Sequence, residues 1–286
     1  MPVPKLIFFY TYGCGGLGDL IKGMASVWWI AQKSGREFSI EFRHELGVLF
    51  PDKMMKRRDV LLPSISLIDK RTSGNLLDFL NSPSIVNRDV LIACNGDLDH
   101  FTKYENYAKQ MLPFFQKVYT EFLPIRQISL SEKFQVLHCR MGDVYLNEAT
   151  NRSDNRIGGI DVFNRKLDIF KRLFAGMRTL ICCDSKEYLQ KLLATVPNSF
   201  SVCKEPYHFA YNTRKKAQSD IIESIRETLA EHELMSRGDR ILMMVYSGFP
   251  IIASLIGGGS PIFLLDESAE NGFRPYKNDW ILGFEV

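Results

Sequence analysis

The sequence predicts an α/β protein made of two doubly wound domains, and three observations carry that prediction. Apolar runs of strand length alternate with segments of helical length and period from residue 5 onward. The alternation breaks once, over residues 124–130, and then begins afresh. In each half a compact motif follows the first strand, at the edge where open α/β sheets hold their ligands. A chain of 286 residues with 45% apolar and 24% charged content has enough material for two ordinary cores. The expected division is into residues 1–125 and 126–286, each a mostly parallel sheet with helices on both faces.

In the first half, residues 5–10 form a continuous apolar, β-type run, the glycine-rich residues 13–18 follow, and a helical pattern covers 19–33. Residues 37–42 alternate like a strand after a stop at Gly35. Residues 59–62 and 66–68 are short strand candidates, 88–94 is a buried strand, and 75–80 and 103–122 are helices. In the second half, 133–138, 179–183, 200–203 and 261–265 read as strands, and 163–174, 186–193, 217–234 and 249–255 as helices. Ile221, Ile222, Ile225 and Leu229 recur at helical spacing, which makes them a core stripe.

The charge balance excludes several classes of function. Thirty-six basic against 33 acidic residues leave a formal charge of +3 with no long block of one sign, so no nucleic-acid partner is expected. The densest basic cluster, Lys53, Lys56, Arg57 and Arg58, is ordinary for a solvated face. No apolar run reaches the ~20 residues that span a bilayer, because 241–256 is interrupted by Gly248 and Pro250. The first ten residues read as a buried strand, without the pattern of a signal peptide, so a soluble, cytoplasmic protein with no transmembrane segment is expected. Six cysteines lack metal-ligand spacing and sit mostly in apolar runs, as free buried thiols do. Asn151 to Ser153 and Arg237 to Asp239 match a glycosylation acceptor and an integrin-binding tripeptide, and both are read as chance.

Two motifs carry chemistry. In the first, Gly13, Gly15, Gly16 and Gly18 let backbone amides approach a ligand, and the helix starting near Asp19 offers its positive end. The glycine spacing departs from that of a dinucleotide fingerprint, and a plain alternative is that Asp19 only caps its helix. The second runs from His138 through Arg140 and Gly142 to Asp143, just past a buried strand. An arginine at that edge can grip a diphosphate bidentately and neutralise charge as a glycosidic bond breaks. An Arg140–Asp143 ion pair closing a turn beside a core histidine is the structural alternative.

The His-x-Arg-x-Gly-Asp motif after an apolar strand resembles the donor-site motif of the fucosyltransferase superfamily. The segment Gly15 to Asp19, its apolar helix and the Gly35–Arg36 pair are similar to the acceptor-side motif of that superfamily. Asp184 and Ser185 after Cys183 resemble its short Ser-Asp or Thr-Asp element, and Asp239, Met243, Ser247 to Phe249, Ala253 and Gly257 its C-terminal block. The resemblance implies a GT-B fold, two Rossmann-like domains facing a cleft. It also implies an inverting transfer from GDP-fucose to a glycan or other hydroxyl acceptor, with no metal or other cofactor. It casts Arg140 as the diphosphate ligand, His138 as support for the donor pocket, Asp184 and Ser185 at the nucleotide, and Ser247, Gly248 and Phe249 over the phosphates. Asp19 would be the general base or would orient the acceptor, beside the loop glycines Gly15, Gly16 and Gly18. Met141 stands where some relatives have a second arginine, and Cys183 replaces a small polar residue, so a uridine donor such as UDP-xylose stays open. Two other readings are kept: a metal-dependent GT-A-like transferase using Asp97 and Asp99, and a non-catalytic nucleotide-sugar or glycan-binding module.

Overall fold

The computed structural model describes residues 2–11, 15–50, 64–66, 76–93, 107–122, 128–141, 160–174, 176–204, 206–207 and 218–276. The chain divides into two compact units, Met1–Pro124 with His208–Ile222, and Ile125–Tyr207 with Glu223–Val286.

The first unit is built on four parallel strands: β1 (Lys5–Thr11), β2 (Glu37–Arg43), β3 (Ser64–Ser66) and β4 (Val90–Ala93), in the order β2-β1-β4-β3. β1 pairs along its whole length with β2, from Lys5 opposite Glu37 to Thr11 opposite Arg43, and through Leu6 to Phe9 with β4. Strands covered on both faces read as continuous apolar runs, which is why β1 is legible as KLIFFYT. Helix α1 (Leu17–Lys33) buries residues around most of its circumference, including Leu20, Ile21, Met24, Trp29 and Ile30, as a helix enclosed by other elements does. It ends in a Schellman arrangement: Gly35 adopts φ +66°, its N–H donates to the Gln32 carbonyl, and the Arg36 N–H donates to that of Ala31. A 3-10 turn (Glu45–Leu49), α2 (Leu76–Leu80) and α3 (Tyr107–Phe122) complete the described part of the unit.

The second unit holds six strands, β5 (Gln135–Cys139), β6 (Thr179–Cys183), β7 (Ser199–Phe200), β8 (Ile241–Met243), β9 (Ile262–Leu265) and β10 (Phe273–Pro275). Their order is β10-β9-β8-β5-β6-β7; only β10 runs antiparallel, against β9. Alternation sorts the side chains between two cores. Leu137, Cys139, Ile181, Cys183 and Leu242 meet α4 (Ile160–Phe174) and α5 (Lys186–Thr195). Val136, Leu180, Cys182, Ile241 and Met243 meet α6 (Gln218–Ser236) and α7 (Gly248–Ile256). Cys139, Cys182, Cys183 and Cys203 are buried free thiols, and Cys14 and Cys94 lie outside the described residues.

The elements follow the expected alternation with three differences. The strand expected at 200–203 is confined to Ser199–Phe200, because the segment beyond it bonds to α6 instead of to a strand: Lys204 N–H donates to Glu227 and Tyr207 N–H to the Thr228 hydroxyl. The strand expected at 66–68 is observed at Ser64–Ser66, paired with β4 from Ser64 opposite Leu91. β8 and β10 were not expected; each has only three residues, and β8 is embedded in the apolar run that continues into α7. The strand candidate at 59–62 lies outside the described residues. No described helix is long and apolar enough to cross a membrane.

Candidate active site

In the second unit the chain lays down β5, β6 and β7 in one direction and then returns to place β8 and β9 on the opposite side of β5. The order of strands therefore reverses between β5 and β8. At such a switch point the connections leave the two carboxyl ends in opposite directions and open a crevice. β5 ends there in His138 and Cys139, followed by Arg140; β8 runs out through Met244 and Val245 to Ser247 and the start of α7. The Met244 N–H donates to the His138 carbonyl at 3.1 Å, so the two strand ends are tied at the crevice itself.

His138 is 6% exposed and its Nδ1 has no hydrogen-bond partner among the described residues. Its ring stacks on Phe249 with centroids 5.8 Å apart and planes 26° from parallel. Phe249 is held from its other neighbour by His232 of α6, which meets it edge-on at 4.3 Å and places Nε2 2.7 Å from the Phe249 carbonyl oxygen. Burial, then Arg140, then His232 push the His138 pKa down to about 3, and burial takes His232 down to about 4 despite its carbonyl partner. Both rings are neutral at pH 7, so the formal positive charge of the motif resides on Arg140, which is partly exposed.

The other residues expected on the donor side gather on the same edge of the sheet. Asp184 follows β6, and its Oδ1 accepts the Met141 N–H at 2.6 Å, which fixes the peptide immediately after Arg140. Ser185 is buried and caps α5 by accepting from the Tyr188 N–H. Ser247 is buried and caps α7 by accepting from the Phe249 N–H at 3.4 Å. A Cβ added at Gly248 meets nothing within 4 Å among the described residues, so space lies open at the first residue of α7. The helix start thus offers backbone N–H groups and a positive dipole end beside a buried, unpartnered imidazole nitrogen and an arginine, a combination suited to an anion. Gly142 and Asp143, the last two positions of the motif, lie outside the described residues.

In the first unit the reversal falls between β1 and β4, and the glycine loop leaves the carboxyl end of β1. Gly15 has φ +93°, and a Cβ there would collide with the Asp19 carboxylate, so glycine is required twice over. The Tyr10 hydroxyl donates to the Gly15 carbonyl at 2.8 Å. Asp19 accepts the Gly16 N–H through Oδ2 at 3.2 Å and pairs with Lys22 through Oδ1 at 3.2 Å. Gly16, as N-cap, has no side chain to return the bond, so Asp19 caps the helix from within its first turn. Gly18 is buried in that turn. Arg36 of the same motif is structural: its guanidinium, 7% exposed, donates to the carbonyls of Leu80, Ile85, Val86 and Arg88. Gly13, Asp97 and Asp99 lie outside the described residues, among which no group of three or more His, Cys, Asp or Glu side chains is arranged to hold a metal ion.

Sequence reasoning missed His232 and Lys166. His232 sits in an ordinary amphipathic helix, and its tie to Phe249 spans 17 residues. Lys166 reaches across 78 residues to donate to the Met244 carbonyl. No local pattern encodes either contact.

No protein-family model matches the chain, and no curated protein matches it by sequence. Solved structures do match it. The fucosyltransferase NodZ from Bradyrhizobium aligns with 97% of this chain and 100% of its own at a TM-score of 0.52 and 16% identity. The NodZ α-1,6-fucosyltransferase soaked with GDP-fucose gives the same values, and the form co-crystallised with GDP gives 0.53 and 17%, with 97% and 99% covered. At such identity a likeness speaks for the fold, and the chain has the α/β, GT-B fold of these fucosyltransferases along nearly its whole length.

Proposed function

We propose that the protein is an inverting, metal-independent glycosyltransferase that transfers fucose from GDP-fucose to a hydroxyl acceptor. The observation that carries this is the crevice between β5 and β8, where Arg140, the Nδ1 of His138 and the open start of α7 converge on one edge of the sheet. The fold of GDP-fucose-binding NodZ supports it.

In this reading the acceptor oxygen attacks the sugar's anomeric carbon directly, and the diphosphate is displaced as its bond to that carbon breaks. Charge develops on the departing diphosphate. The Arg140 guanidinium and the N-terminal amides of α7 stabilise it without reorganising. His138 acts as a neutral hydrogen-bonding group, and Asp184 holds the peptide after Arg140 in place. Asp19 is the proposed base for the acceptor proton. Its carboxylate is engaged by Gly16 through Oδ2 and by Lys22 through Oδ1, and each oxygen keeps a lone pair for an approaching hydroxyl.

The test is calorimetric titration with GDP, GDP-fucose, UDP and UDP-xylose in EDTA, repeated with Mn²⁺, followed by a transfer assay. GDP and GDP-fucose are expected to bind in EDTA at least ~10-fold more tightly than the uridine ligands, about 1.4 kcal/mol. A uridine preference would move the donor to UDP-xylose within the same fold. Binding only with Mn²⁺ would overturn the metal-independent reading in favour of Asp97 and Asp99. Tight binding with no transfer to any acceptor would leave a binding module.

A further inference from the structure

A nucleoside diphosphate brings at least two negative charges into a crevice where Arg140 is the cationic member of the motif and His138 is neutral. On the reading of the crevice as a nucleotide-donor site, a second cation is called for, and one stands at its rim. Lys166 projects from α4, on the face of the sheet opposite α7, and its Nζ donates to the Met244 carbonyl at 2.6 Å. Met244 is the residue whose N–H bonds to the His138 carbonyl. The ammonium therefore lies one residue from the point where β5 and β8 are tied.

The charged groups packed around Lys166 leave it uncommitted. Asp266 and Glu267 follow β9, Arg274 lies on β10, and Arg165 precedes it on α4. Glu267 is taken by Arg165, and Asp266 by Arg274 at 3.1 Å and by the Ser268 hydroxyl and amide. Among the described residues no carboxylate is within ion-pair distance of the Lys166 ammonium, and only Met244 accepts a hydrogen bond from it. An ammonium has three N–H donors. Burial lowers its pKa, which Asp266 and Glu267 partly offset. At this partly exposed position the remaining N–H donors of the ammonium are open to an incoming anion as well as to solvent.

We propose that Lys166 is the second cation of the crevice, binding the diphosphate of the nucleotide donor together with Arg140. The competing account is that Lys166 only ties α4 to the end of β8.

The two accounts separate on ligands that differ in phosphate number. Binding of GDP, GMP and guanosine is measured calorimetrically, at several salt concentrations, for the unaltered protein, Lys166→Arg and Lys166→Gln, with thermal unfolding of each. Gln removes the charge while keeping an N–H donor on a side chain one bond shorter, and the unfolding curves report any loss of the tie to the Met244 carbonyl. The proposal expects Lys166→Gln to weaken GDP at least ~10-fold, GMP less and guanosine not at all, with a shallower salt dependence for GDP. Lys166→Arg should restore GDP binding to within about threefold, because the charge is what matters. Unchanged GDP affinity in Lys166→Gln, or equal loss for all three ligands, overturns the proposal. If Lys166→Gln does not fold, Lys166→Met, which keeps the aliphatic length and removes the charge, decides: a loss larger for GDP than for GMP and absent for guanosine upholds the proposal, and unchanged GDP affinity or equal loss for all three overturns it. Failure of the unaltered protein to bind either GDP or UDP overturns the donor reading as well, an outcome distinct from a failure at Lys166 alone.

Discussion

Among the described residues the crevice brings the Arg140 guanidinium beside two imidazoles that are uncharged at pH 7, because burial lowers the pKa of His138 to about 3 and of His232 to about 4. A substitution at each position therefore has its own signature. Arg140→Ala is expected to lower turnover by about 10²–10³-fold with the melting temperature unchanged, measured by initial rates beside calorimetric unfolding. Near-normal rates would remove Arg140 from the chemistry. Asp19→Asn keeps an oxygen for the Gly16 N–H and removes the charge, so the helix should hold while the rate falls about 10²-fold at unchanged donor affinity. Wild-type rates would leave Asp19 as a cap. His232→Phe should loosen the stack of Phe249 on His138 and raise the His138 pKa, visible as a displaced imidazole titration by NMR without any ligand. The motif residues were legible because each sits beside a strand whose apolar run announces it. His232 and Lys166 were not, since their partners are fixed by how helices pack on the sheet.

The same contrast holds for elements. β1, β5 and β6 are long enough to declare themselves, whereas β8 is three residues of an apolar stretch that changes from strand to helix at Ser247. Without β8 the sheet order cannot be drawn, and the switch point beside His138 is invisible. The helix expected at 249–255 is observed at Gly248–Ile256, and the structure adds that Ser247 caps it. At the other end of α7, Gly257 is fixed by contact: a Cβ there would run into the Ser236 carbonyl at the end of α6. Gly257→Ala is expected to destabilise the protein by about 1–3 kcal/mol or more, read as a lowered denaturation midpoint at unchanged m-value. An unchanged midpoint would mean that the two helix ends can separate freely. The buried guanidinium of Arg36 has a comparable role in the first unit, where it gathers four carbonyls between Leu80 and Arg88.

For the molecule as a whole, the buried groups His138, His232 and Glu231 among the described residues shape the dependence of stability on pH. His138 and His232 are depressed from 6.5, so what they contribute is complete above about pH 6.5 and is lost as the pH falls toward about 4 and 3. Glu231 is displaced the other way, from 4.5 to about 8, by burial, partly countered by hydrogen bonds to Ser201 and Cys182. Its contribution is complete below pH 4.5 and is lost as the pH rises through 8. Glu231→Gln should therefore match the unaltered protein near pH 4.5 and exceed it at pH 8.5, each unit of displacement being worth ~1.4 kcal/mol. Parallel melting curves across that range would show that Glu231 is already ionised in the folded state. The buried thiols add a consequence of their own. Cys139, Cys182 and Cys183 lie in the adjacent interior strands β5 and β6 of the second sheet, with their pKa values raised chiefly by burial. An alkylating reagent reaches them only when those strands part. The rate of their modification is then a clock for opening of the second unit, and a nucleotide that binds the folded crevice should slow it in proportion to its occupancy.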